Sequence, residues 1–138
     1  MLALVGLVLT LFASGCADEG NVFSLEVGDC FGAITDTQFS DVSIVECSEP
    51  HEHEVFAVWN VAGDTLPSQQ DMTQGCIGER FEDAIGIPYD DSELFAAAIT
   101  PSAEGFDNGD REVICYSAEF DESNELLQVA GSVLGSNR

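Results

Sequence analysis

The chain has no lysine. Its three basic residues are Arg80, Arg111 and Arg138, set against 26 Asp and Glu, for a formal net charge of −23 over 138 residues. Nucleic-acid binding needs Lys and Arg to displace counterions from phosphates, so this balance argues against that class of partner. It argues equally against adhesion to anionic lipid head groups. Solubility or a saline milieu explains the charge without a dedicated cationic ligand. No apolar run approaches the ~20 residues needed to span a bilayer. No Gly-x-Ser-x-Gly segment offers a nucleophile elbow, and no Cys-x-x-Cys pair offers a thiolate metal site. Once the cysteines pair, no free thiol remains for a histidine to activate. The many acids supply material for a glycosidase-like carboxylate pair, but no spacing singles one out. The sequence therefore predicts a non-enzymatic chain that takes no cofactor.

What is present begins with Leu2–Phe12, an uncharged apolar run that leads into Ala13-Ser14-Gly15-Cys16. Small residues before a Cys at the end of such a run resemble the lipobox of a bacterial lipoprotein signal peptide. The run departs from such leaders in opening without Lys or Arg. A buried core helix is the alternative, but it would show an amphipathic period. The resemblance implies a leader over residues 1–15, a lipidated Cys16 with a short linker over 16–21, and one domain over 22–138. Lipid on Cys16 would hold the domain at the cell membrane, facing outside the cytoplasm. Each buried acyl CH₂ contributes ~0.8 kcal/mol, and more than one chain is needed for stable anchoring.

Four further cysteines, Cys30, Cys47, Cys76 and Cys115, make an even set that reads as two disulfides in an exported chain. Three pairings are possible and spacing alone does not decide among them; we take Cys30–Cys47 and Cys76–Cys115. Phe23, Leu25 and Val27 alternate with polar residues and predict a strand, which Gly28-Asp29 ends. Val42–Cys47 predicts another. Glu54–Val61 is apolar on both faces and predicts a central strand. Ser68–Ile85 predicts the main helix, with Met72, Cys76, Ile77, Phe81 and Ile85 on one stripe. Ser68 and Asp71 mark its start and Gly86 its end. Gly75 and Gly78 weaken that helix but allow a sheet to approach closely. Cys76 on the stripe would staple the helix to a strand. Leu94–Thr100, Arg111–Phe120 and Leu126–Leu134 predict three more strands, with a turn at Asp107–Asp110 and a loop at Asp121–Glu125. The expected fold is α+β: an antiparallel sheet of about six strands, one main helix packed on it, and two disulfides.

Several stretches then line up in order. Val27-Gly28-Asp29-Cys30-Phe31 opens the domain, and Val45-Glu46-Cys47 leads into Glu49-Pro50-His51-Glu52-His53-Glu54-Val55. A helix bearing Cys76 follows, then Pro101, Gly109-Asp110-Arg111-Glu112-Val113-Ile114-Cys115 and Gly131-Ser132-Val133. This order resembles the septum-formation domain family of actinobacterial envelope proteins, over about residues 22–135. Phe106 stands where the family pattern usually has Trp, which keeps an aromatic packing role and loses an indole N–H. The resemblance implies an extracytoplasmic, disulfide-bonded domain linked by name to septation. It brings no reaction and no catalytic residues.

Three groups of residues are candidates for chemistry. His51, His53 and Glu54 form a partial Zn²⁺ or Cu²⁺ site if the chain is extended, since His51 and His53 then share a face. The reading favoured here is structural, because a buried polar group needs a partner. On it, His51 and Glu54 bond backbone near Cys47 and fix the start of the central strand. Arg111 is expected in a buried bidentate pair with Glu54 or Asp29, the alternative being an anion-binding arginine. Asp90, Asp91 and Glu93, or Asp107, Asn108 and Asp110, are oxygen donors suited to Ca²⁺, although such clusters are commonly turns. Phe56, Trp59 and Phe95 are expected in the core. Taken together, the sequence predicts an interaction module that meets an envelope or division protein. A metal- or small-ligand-binding lipoprotein using His51, His53 and Glu54 is the alternative.

Overall fold

A central strand apolar on both faces requires cover on both sides, and β4 (His53–Asn60) has it. The computed structural model describes residues 19–21, 24–34 and 41–138. Five further strands are β1 (Glu19–Asn21), β2 (Cys30–Phe31), β3 (Asp41–Val45), β5 (Phe95–Ile99) and β6 (Glu112–Ala118). They pair antiparallel in the order β1-β3-β2-β4-β6-β5. The chain is mostly β, with three short helices: α1 (Gln69–Gln74), α2 (Glu79–Ile85) and α3 (Ala103–Asp107). On one face of the sheet Phe56, Met72, Phe81, Ile85, Phe106 and Val113 pack into a core that α1 and α2 help to close. On the other face Leu25, Phe31, Val42, Val55, Ile99 and Ile114 form a second cluster. Along β6, Val113 and Cys115 belong to the first cluster and Ile114 to the second, the two-residue alternation of a strand with two dry faces.

Both disulfides pair as expected. Cys30–Cys47 ties β2 to the end of β3 across 17 residues, and Cys76–Cys115 ties the helical segment to β6 across 39.

The main helix is not continuous. Ser68 caps α1 by accepting from the Asp71 N–H at 3.1 Å, and Gly86 ends α2 at φ +101°, so both ends lie where the sequence placed them. Between them the chain breaks at Gly75–Gly78. A Cβ on Gly75 would sit 2.4 Å from the Trp59 ring, which is the close sheet approach expected there. Gly78 adopts φ +96°, a region that only glycine occupies cheaply, and this ends any single helix. Cys76 lies in the break between the two helices, where its disulfide meets β6.

Other expectations are also corrected. Residues 24–27 form no strand: Leu25 is buried but Val27 stands half-exposed before the Gly28 turn. Glu19–Asn21, expected at the end of the linker, pairs with β3. α3 was not expected; Ser102 caps it by accepting from Gly105 N–H at 3.0 Å. Leu126–Leu134 is no strand. Phe120 and Leu126 make one isolated bridge, His51 and Val129 another, and the chain then runs as a strap across the end of β4. Phe95 is half-exposed rather than in the core. The expected leader, Cys16, Ala17, and Phe23 of the expected first strand lie outside the described residues, and no helix among those described is long and apolar enough to cross a membrane.

Loop lengths of 17 and 39 residues give chain-entropy stabilisation of ~3 and ~4 kcal/mol. Replacing Cys76 and Cys115 together by Ala should therefore lower the unfolding free energy more than replacing Cys30 and Cys47, as urea titration would measure.

Candidate functional site

Among the described residues Glu54 is the most completely buried acid, at 1 % exposure on β4. A bare carboxylate there would be untenable, and the strap supplies its donors. Ser132 Oγ donates to Glu54 Oε1 at 2.6 Å, and the Val133 N–H donates to Oε2 at 2.6 Å. Short bonds to an ionised acceptor are roughly twice as strong as neutral ones. Gly131, at φ +98°, turns the strap so that the next two residues face β4, and its N–H bonds the Cys47 carbonyl.

His51 lies beside Glu54. Its backbone exchanges two hydrogen bonds with Val129, both 2.9 Å, and its Nδ1 bonds the Glu49 carbonyl at 2.8 Å. His51 and Glu54 thus both bond backbone at the start of β4, His51 to Glu49 and Val129 and Glu54 to Val133. Residue 52 is a bend, so the chain is not extended there, and the two histidines bond different carbonyls, His51 that of Glu49 and His53 that of Ser117. His53 packs against Phe31 and Tyr116, with ring centroids 5.2 and 5.0 Å away, and its Nδ1 bonds the Ser117 carbonyl at 3.0 Å. Burial lowers the His53 pKa from 6.5, outweighing the opposing pull of the Ser117 carbonyl and Glu52. Burial also raises the Tyr116 pKa.

The expected site of His51, His53 and Glu54 is therefore not assembled. Among the described residues, the three potential metal donors that converge are Cys30, His51 and Glu54, with donor atoms within 4.8 Å of one another. The sequence reading missed this grouping because Cys30 was assigned wholly to its disulfide. It also missed the partnership of Glu54 with Ser132 and Val133, although Gly131-Ser132-Val133 had been marked as a motif.

Arg111 pairs with neither Glu54 nor Asp29. Its Nη1 donates to the carbonyls of Phe106 at 2.6 Å and Asp110 at 3.1 Å, and its guanidinium lies 3.6 Å from the Phe106 ring centroid. Phe106, 5 % exposed, keeps the aromatic role that its position implied. Asp29 accepts from the Glu26 N–H at 2.8 Å, and Asp110 Oδ1 from the Glu112 N–H at 3.0 Å. Gly28 and Gly109 take φ of +96° and +99° in the two turns, and Pro50 lies exposed in the turn before His51. These motif residues act as turn and cap hardware. The acids proposed for Ca²⁺ do not converge: Asp90 and Asp91 lie in a 3₁₀ turn, Glu93 pairs with Arg138 at 3.2 Å, and Asp110 is turned to its own backbone. Arg138 also pairs with Glu119, which anchors the far end of the strap.

Residues 27–138 match the family model described as septum formation, and the chain belongs to that family. No curated protein and no solved structure matches it.

Two outcomes follow from this geometry. Glu54→Ala should cost about 3 kcal/mol, because it strands the buried Val133 N–H, and hydrogen exchange should show faster exchange at Val133. Because the folded pKa of His53 is below its unfolded value, the unfolded chain binds the extra proton. Its share of stability is complete above pH 6.5 and declines as pH falls from there toward the folded pKa. His53→Gln should remove that component, read as the difference between the two pH–stability curves.

Proposed function

We propose that this member of the septum-formation family is a non-enzymatic, lipid-anchored domain of the cell envelope that presents a contact surface to another envelope or division protein. The observation that carries the reading is an exposed apolar patch at the sheet edge. Phe95, the first residue of edge strand β5, is 50 % exposed and meets Phe120 edge-on at 5.2 Å. Leu126 and Leu127, both more than a third exposed, extend the patch along the start of the strap. Exposed Asp121, Glu122 and Glu125 border it. Apolar residues rimmed by charge mark interaction sites, and acids around them suit a partner that is apolar and basic.

The residues with catalytic chemistry support the same reading. Glu54, Asp110 and Arg111 are engaged with backbone, and His53 is packed between rings. Lipid on Cys16 would set the domain at the membrane, where its acidic surface keeps it off the head groups.

Cross-linking in cells tests the proposal. The parent chain should give one discrete adduct with an envelope or division protein. Phe95→Ser with Phe120→Ser should reduce it about tenfold while changing stability by under ~1 kcal/mol, the range of surface substitutions. Cys16→Ser should release the chain from the membrane fraction. No adduct with the parent chain, together with turnover of an envelope substrate, would sink the reading.

A further inference from the structure

The two disulfides differ in their surroundings. Cys76 and Cys115 are both fully sealed. Cys30 is 1 % exposed, but its partner Cys47 is only half-buried, the most accessible residue of the four paired cysteines. Around Cys30 stand His51 and Glu54, the buried cluster of potential donors.

His51 is itself unusual. With Nδ1 bonded to the Glu49 carbonyl, Nδ1 carries the ring proton in the neutral form and Nε2 offers a lone pair. That Nε2 is buried with no hydrogen-bond partner, in a residue 1 % exposed. Buried polar atoms are normally satisfied, so an orphan acceptor on a histidine that converges with a cysteine and a carboxylate asks for a ligand. A backbone carbonyl on the other ring nitrogen is also the usual outer partner of a metal-binding histidine. Glu54 is held in the same way. Its carboxylate has about four lone-pair sites, and Ser132 and Val133 occupy two.

We propose that reduction of Cys30–Cys47 opens a site for a divalent metal ion of the zinc type, held by the Cys30 thiolate, His51 Nε2 and Glu54, with the Cys47 thiolate as fourth donor. Thiolate and imidazole together favour Zn²⁺ over Ca²⁺ or Mg²⁺. Zn²⁺ holds sulfur at ~2.3 Å and nitrogen at ~2.0 Å, so donors now within 4.8 Å of one another need to close to ~3.3–3.5 Å. The reductant is a dithiol. One of its sulfurs attacks Cys47 Sγ; the disulfide bond breaks and its electron pair leaves on Cys30. The second sulfur then displaces Cys47, and the dithiol becomes a disulfide. Two electrons pass to the protein. The dithiol's two protons go to solvent as the metal takes both thiolates. The oxidised domain is thus closed to metal and the reduced one binds it, while Cys76–Cys115 keeps the fold.

The test uses the full chain, treated anaerobically with graded dithiol and mapped by thiol alkylation and mass spectrometry. Cys30–Cys47 should open first. Zn²⁺, titrated against a chromophoric chelator, should then bind one ion per chain about 100-fold more tightly than to the oxidised chain. Co²⁺ should show a thiolate charge-transfer band, and His51→Gln should weaken binding about tenfold or more. Cys47→Ser, which leaves Cys30 free, should bind Co²⁺ with that band and no reductant. Equal affinity in the two redox forms, no thiolate band, no binding by Cys47→Ser, or both disulfides opening together would each overturn the proposal.

Discussion

The carboxylate of Glu54, held by Ser132 and the Val133 N–H, is the contact on which the rest of the structure depends. A chain with a formal charge of −23 has every reason to keep its acids in water. It buries this one against the end of the central strand and joins it to residues 78 and 79 positions away. The last segment of the chain makes no extended ladder; its isolated bridges leave little backbone pairing to hold it. The charged hydrogen bonds, the burial of Val133, and the Arg138 pair at the far end do that instead. They also place Gly131 N–H on Cys47 O, beside a disulfide that closes β2 onto β3. Strap, disulfide and central strand therefore meet at one point.

Periodicity made much of the fold legible. Glu54–Val61 is apolar on both faces because both faces are covered, and the strands at β3, β5 and β6 fall within a few residues of their expected ranges. Cysteine spacing left three pairings open, and the one chosen is the one formed. The helix over 68–85 was misread because its apolar stripe survives a break: Met72, Phe81 and Ile85 still face one core although Gly75–Gly78 interrupts the backbone. The strap was misread because Leu127, Val129 and Val133 fall at the even spacing of one strand face, while its partner is a carboxylate rather than a neighbouring ladder.

The site was less legible, for a similar reason. His51 and His53 look like a pair only on an extended chain, and the bend at residue 52 sends them to different neighbours. Arg111 looked like a partner for a buried acid because cations are so scarce. Carbonyls and the Phe106 ring satisfy it within the turn from α3 into β6, and Glu54 draws its donors from a hydroxyl and a backbone N–H rather than from a cation. Pattern reading finds groups that want partners. It does not say which distant segment brings them.

The separation between Glu54 and its donors has a kinetic meaning. Every strand of the sheet and all four paired cysteines precede residues 131–133 in the chain, so they emerge in synthesis before the strap can dock. Until then Glu54 keeps its hydration, and the mouth of the Cys30–Cys47 corner stays wet. Closure of the strap strips that water and supplies two donors in one event, a long-range contact made late in folding. A chain synthesised from its N-terminus thus carries the Glu54 carboxylate in the open until residues 131–133 arrive.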